Sequence, residues 1–211
     1  VARNYLVGER PDAILNLVDG TNLERNLYLT TQLIELGHPV VVAVNMIDLV
    51  RKNGDTIDLE KLSRAMGCPC VEISALKGQG TQDAVKACLD AAKTGKTTEL
   101  PHVFTGSVEH AIAHIEESIE DKVDPENLRW YAIKVFERDE KALENVELSD
   151  ELKEHLEGHI ADCEKEMDDD SESIITNQRY NYIQDLVSGA VKKKAKKGDM
   201  SVSDKIDQVV T

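Results

Sequence analysis

Two short stretches bring together side chains whose hydrogen-bonding chemistry matches a purine base. Asn45-Met46-Ile47-Asp48 follows the apolar run Pro39 to Val44, and Ser74-Ala75-Leu76 follows Val71-Glu72-Ile73 about a helix and a strand later. An ionised Asp48 has only acceptors. Guanine presents N1–H and a 2-amino group side by side, so one carboxylate can take both bonds. Adenine has an acceptor at N1 and no 2-amino group, and a carboxylate facing it would be left unpaired. Charge-assisted bonds are the stronger kind, so this arrangement discriminates well between the two bases. Asn45 can bond N7 of the base and brace neighbouring loops. The Ala75 N–H can donate to guanine O6, which adenine lacks, and Ser74 can stabilise its tight loop through side-chain-to-backbone bonds. Asn-x-x-Asp alone is a weak signal, easily met in a strand-ending Asx turn. Its weight here comes from its place at a strand end, followed one strand later by Ser-Ala.

No phosphate-handling residues accompany this pair. Asp90-Ala91-Ala92-Lys93-Thr94-Gly95-Lys96-Thr97 ends in Gly-Lys-Thr, but Asp90 stands where a phosphate loop needs its first glycine, and the segment follows a helix instead of a strand. A helix C-cap and linker are expected there. Phosphoryl transfer needs a phosphate cradle, Mg²⁺ and a positioned water, so no residue is assigned a catalytic role. His110 and His114 are four apart, as are His155 and His159, with Cys163 four further on. Two histidines at that spacing can share a metal, but no third ligand is evident, and solvated helix faces are expected with no metal residue assigned. Asp168-Asp169-Asp170 reads as a helix junction, and Cys68-Pro69-Cys70 as small apolar residues at a strand start.

The elements that would position the purine-directed residues alternate. Ala13 to Val18 is a nearly continuous apolar run ended by Asp19-Gly20, as expected of a buried parallel strand. Asn22 is placed to cap a helix running to about Leu36, with Leu23, Leu27, Thr30, Leu33 and Ile34 as its apolar stripe and Gly37 as its stop. Val40 to Val44 is the next strand, and Asp58 can cap a helix through about Met66. Cys70 to Ile73 reads as a third strand, followed by a helix from about Thr81 to Ala92 with Ala84, Val85, Cys88 and Leu89 on one face. This order implies a parallel α/β sheet with right-handed crossovers. Beyond a polar linker at 94–101 no buried-strand pattern is found. Ser107 can cap a helix along Val108, Ala111, Ile112, Ile115 and Ile119. Further helices are expected at about 128–137, from Ser149 to Met167 and at about 171–191. A domain boundary is placed near residue 97, giving an α/β part over 1–97, a helical part over 98–191 and a basic tail over 192–211.

Composition narrows the partners. The 211 residues carry 25 Lys+Arg against 40 Asp+Glu, a formal charge of −15, and only 4% aromatic residues. Such a surface repels nucleic-acid phosphates and stacks bases poorly, so no nucleic-acid partner is expected. Four cysteines without a paired framework suit a reducing compartment. No run of about 18 apolar residues is present, and the start at Val1-Ala2-Arg3, without Met, reads as a piece of a longer chain. Lys192 to Lys197 suits either a solubilising tail or contact with anionic lipid, at about 1 kcal/mol per basic residue near the surface.

The stretch from Pro11 to Thr30, with Gly37-His38-Pro39, Asn45-Met46-Ile47-Asp48 and Ile73-Ser74-Ala75-Leu76-Lys77-Gly78, closely resembles the cytoplasmic GTPase domain of the ferrous iron transport protein B family. Residues 100–211 resemble that family's helical domain with weaker motifs, and Val202 to Thr211 the lead-in to its first membrane helix. The resemblance implies a partial Ras-like P-loop GTPase sheet followed by an all-α domain. It implies binding of GTP or GDP, with Mg²⁺ held by residues outside this chain, and slow hydrolysis regulating bacterial ferrous iron uptake. The implied partner is the membrane permease part of the same parent, at the cytoplasmic face of the cell membrane, with a homo-oligomer left open. Asn45, Met46, Ile47 and Asp48 match the family's base-recognition motif, and Ser74, Ala75 and Leu76 its second base-contacting loop. Met46 and Leu76 stand where many GTPases have Lys. The family's phosphate loop and switch segments do not occur in these 211 residues, which implies that this chain alone does not hydrolyse GTP. Two other readings remain open at this point: a non-enzymatic interaction module, and a cytosolic GTPase unrelated to transport. Net acidity and the Leu23-Glu24-Arg25-Asn26-Leu27 stretch argue against the last.

Overall fold

The computed structural model describes residues 2–95, 100–144 and 146–194. The chain begins with α1 (Ala2–Glu9), then β1 (Ile14–Asp19), α2 (Leu23–Glu35), β2 (Val40–Asn45) and α3 (Ile47–Asn53). Next come β3 (Thr56–Ile57), α4 (Leu59–Met66), β4 (Cys70–Glu72), a 3-10 turn at Ala75–Lys77 and α5 (Thr81–Thr94). β1, β2 and β4 form a parallel sheet in the order β1-β2-β4, with Ile14 beside Val40 and Val42 beside Cys70. The central strand is apolar from Val40 to Val44 because both of its faces are covered there. Val40, Val42 and Val44 point into a core with Leu27 and Ile34 of α2 and Leu62 and Met66 of α4, while Ala43 meets Ile73 and Ala84 of α5 on the other face. Fully burying a Leu62 or Met66 side chain stabilises the fold by roughly 1.5–3 kcal/mol each.

The expected α/β order is present, with local differences. Asn22 occupies the position before α2, but its side chain makes no capping bond; its carbonyl instead accepts from the Asn26 side chain at 2.8 Å. Asp58 does cap α4, accepting from the Lys61 N–H at 3.0 Å. On α5 only Ala84 of the anticipated stripe is buried, while Val85 is 46% and Leu89 54% exposed, as is Leu17 of β1 at 57%. α1, α3 and β3 were not anticipated. α3 and β3 are short and carry little periodicity, and α1, though as long as α4, has only a weak apolar stripe.

The second half contains α6 (Gly106–Ile119), α7 (Leu128–Phe136), the single turn α8 (Glu140–Leu143), α9 (Asp150–Met167), α10 (Ser171–Ala190) and β5 (Val191–Lys192). Thr105, not Ser107, precedes α6; Ser107 lies in the first turn, and the Thr105 N–H is satisfied by the Gln178 side chain at 2.9 Å. Ser149 caps α9 and Asp170 caps α10 as short polar side chains do. Ile112, Ile115, Ile119, Ile133, Phe136, Leu156 and Ile160 close a helical core. β5 is a two-residue strand that is not buried, beside the expectation of no buried strand after the linker: it pairs antiparallel with β3, Ile57 beside Val191 and Thr56 beside Lys192. The basic stretch beyond Lys194, and the segment Val202 to Thr211, lie outside the described residues.

α10 joins the two halves. Ile183, Leu186 and Val187 pack into the same core as α2 and α4, together with Trp130 of α7. Beside them Arg179, 1% exposed, makes a bidentate pair with Glu35 of α2 at 2.7 and 3.2 Å and reaches Glu137 at 2.9 Å. Burial works against the Arg179 charge, but Glu35 and Glu137 more than offset it, so the guanidinium stays protonated.

Candidate functional site

The residues singled out for base recognition converge at the carboxyl ends of β2 and β4, where open parallel sheets carry their ligands. Gly20 lets the end of β1 close on this edge: its N–H donates to the Asn45 carbonyl at 2.9 Å, and a Cβ there would lie 2.8 Å from that oxygen. Met46 turns the chain from β2 into α3 in one left-handed residue, φ +61° and ψ +27°, a conformation that costs a side chain with a Cβ. That turn sets Asp48 in the first turn of α3. The Ile47 N–H donates to the Ile73 carbonyl at 3.3 Å, tying α3 to the end of β4.

The loop after β4 is held just as closely. Ser74 and Gln79 exchange backbone bonds at 2.9 and 3.1 Å. Gly80 sits at φ +72°, where a Cβ would come within 2.2 Å of the Glu72 carbonyl oxygen, so only glycine lets the loop return against β4. The Ala75 N–H donates to Asn45 Oδ1 at 3.0 Å, and the Ser74 hydroxyl donates to Asp48 Oδ1 at 2.9 Å. Asn45, Asp48, Ser74 and Ala75 are thus one hydrogen-bonded unit. Two details differ from the sequence reading. Ser74 serves the Asp48 carboxylate through its side chain, and the Ala75 N–H is engaged by Asn45, so it must be shared or released to meet a base oxygen.

One residue had escaped the sequence reading. Lys77 Nζ lies 3.1 Å from Asp48 Oδ2, so both carboxylate oxygens have partners. The Ser74 hydroxyl and the Lys77 ammonium hold the Asp48 carboxyl below the usual carboxylate range, which keeps it ionised and purely accepting. The signal was a lone cation in the loop between Ser74 and Gly78. Among the other assigned residues, Met46 is 40% and Leu76 94% exposed, apolar side chains beside the carboxylate that can lie against a flat ring. Ile47 is 5% exposed and packs inward, a structural member of the motif. The segment 90–95 is the end of α5 with Gly95 as a left-handed C-cap, not a phosphate loop; residues 96–99 lie outside the described residues. Among the described residues no group of three or more His, Cys, Asp or Glu side chains is placed to hold a metal ion, and no residue is assigned to Mg²⁺.

A parallel sheet with a carboxylate, an asparagine and a Ser-Ala loop joined at its strand ends, followed by a helical region, has the form of part of a Ras-like P-loop GTPase fold. The family model for ferrous iron transport protein B matches residues 1–88, and that for the FeoB cytosolic helical domain matches residues 104–192. The Fe(2+) transporter FeoB of Escherichia coli K12 is 32% identical over 183 residues, 87% of this chain and 23% of its own length. A Porphyromonas gingivalis fusion of Fe(2+) transport protein A with FeoB is 36% identical over 99% of this chain and 26% of its own length. Among solved structures, a GDP-bound point mutant of the S. thermophilus FeoB G-domain superposes with a TM-score of 0.86 at 41% identity, covering 90% of this chain and 74% of that one. An S. thermophilus NFeoB bound to mGMPPNP gives 0.83 at 39% identity, covering 94% and 74%. The chain belongs to the ferrous iron transport protein B family. It spans about a quarter of the length of these curated relatives. No helix among the described residues is long and apolar enough to cross a membrane.

Proposed function

We propose that this chain is the guanine-reading and helical part of the cytoplasmic region of a bacterial ferrous iron transporter, whose GTP binding and hydrolysis regulate Fe(II) uptake. The observation that carries the reading is the unit formed by Asn45, Asp48, Ser74 and Ala75. Asp48 supplies two acceptors to guanine N1–H and N2–H, Asn45 braces the second loop and faces N7, and the Ala75 N–H turns to O6. Met46 and Leu76 cover the ring. The nucleotide must displace Lys77 from Asp48 Oδ2, and the flexible lysine stem makes that movement easy. GTP supplies the transferable phosphoryl group when bound, and no residue of these 211 is assigned to its phosphates or to Mg²⁺. We place the division between the GTPase part and the helical part near residue 97, and residues 192–211 beside the membrane permease of the same parent.

The test is GTP turnover by this 211-residue chain with Mg²⁺ present. The expected result is turnover no faster than the uncatalysed background, because phosphoryl transfer depends on a phosphate cradle to which none of these residues is assigned. Robust hydrolysis would overturn the reading.

A further inference from the structure

The two histidine pairs, expected on solvated helix faces, meet one another. α6 and α9 bring their four imidazoles into one cluster. His110 and His114 of α6 have ring centroids 4.5 Å apart, His114 stacks on His159 of α9 at 5.0 Å and 10°, and His159 meets His155 at 4.8 Å. The Nε2 atoms of His110 and His114 are 3.2 Å apart and share a hydrogen bond, whose proton a bound metal would displace. Two imidazole nitrogens on a tetrahedral zinc at about 2.0–2.1 Å are themselves about 3.3 Å apart, so this pair already has the separation of two ligands to one ion. Glu117 Oε2 faces His114 Nδ1 at 3.5 Å. A carboxylate there favours the tautomer with the proton on Nδ1 and leaves the Nε2 lone pair for a metal. His110 and His155 are exposed and His114 and His159 half-buried, so an ion can enter from solvent.

We propose that His110 and His114 form the seat of a divalent transition-metal site between α6 and α9, with His159 as the third ligand after its ring turns out of the stack and water completing the shell. As the side chains stand, His159 lies parallel to His114 and does not converge with the pair. For His159 to join the pair its ring must turn, a movement between side-chain rotamers. Imidazole nitrogen selects ions of the zinc, copper and nickel kind over magnesium or calcium. The site is independent of the guanine-reading edge, and the failure of either leaves the other standing.

The experiment is calorimetric titration of Zn²⁺ into the whole chain, with Co²⁺ absorption to separate imidazole from thiolate ligation by the free cysteines, and thermal melts with and without Zn²⁺. One equivalent is expected to bind with imidazole-type spectra and to raise the melting temperature by tying α6 to α9. The H110A/H114A double variant and H159A, checked for unchanged circular dichroism, are each expected to weaken binding by about tenfold or more, and H102A to leave it unchanged. Unchanged affinity in H110A/H114A or in H159A, thiolate-type spectra, or no saturable binding by the wild-type chain would overturn the proposal.

Discussion

In the proposed function Asp48 sets what the strand ends recognise, and Lys77 sets how readily. Asp48 is ionised and held by one hydroxyl and one ammonium, and a guanine edge requires those same acceptors. Lys77 is 53% exposed on its side chain, so its ion pair is weakened by solvent and is a modest competitor. Lys77→Ala is therefore expected to tighten guanine-nucleotide binding by up to about fivefold in an equilibrium titration; weaker binding would mean that the lysine assists the ligand. At this scale the meeting of Asn45, Asp48, Ser74 and Ala75 was readable from sequence, because each stretch follows an apolar strand of the same parallel sheet. The Ser74 hydroxyl bond to Asp48 and the Lys77 pair were not readable. Both depend on how the loop between Ile73 and Gly80 folds back, and the close approach of Gly80 to Glu72 appears only in three dimensions.

Elements with a cap or a strong apolar pattern announced themselves, while those without did not. β2 is buried on both faces and α4 carries a cap and an apolar stripe, so both are explicit in the residue pattern. The two-residue strands β3 and β5 have no pattern to show, and each exists because the other supplies its hydrogen bonds. The histidine cluster was hidden for a related reason. Each pair was visible on its own helix, but the facing of α6 and α9 is a packing result. The junction of α7, α9 and α10 shows how charge fixes such packing. Arg138 bonds Glu157 and Glu164, and Glu164 also accepts from the N–H of Ser171 at the start of α10 at 2.8 Å. Arg138 holds the Glu164 carboxyl below its ordinary value of 4.5. A depressed carboxyl contributes stability that is fully present above the ordinary value and is lost as pH falls through the lowered one. Arg138→Ala is expected to lower the melting temperature at neutral pH and to shrink the loss on going from pH about 5 to pH about 3. An identical acid profile in the variant would contradict this role for the pair.

At the scale of the molecule two main cores meet along α10 and α7, with a smaller cluster on the other face of the sheet. The sequence placed a change of pattern near residue 97, yet α10 returns past it to pack on α2 and α4, and Arg179 locks to Glu35 across 144 residues of sequence. Breaking such a buried pair by removing one partner costs about 3–5 kcal/mol, so the helical part and the sheet are energetically joined. This link was not legible because a single buried arginine on a helix looks like any surface charge until its partner is known. The central claim is that the sheet edge that holds Asn45 and Asp48 reads guanine, and the most direct measurement is a backbone-amide NMR titration of the 211-residue chain with GDP and with ADP. The account predicts shifts confined to 45–48 and 74–80 on adding GDP, little response to ADP, and loss of the GDP response in Asp48→Ala. Equal responses to the two nucleotides, or a GDP response that survives in Asp48→Ala, would contradict it.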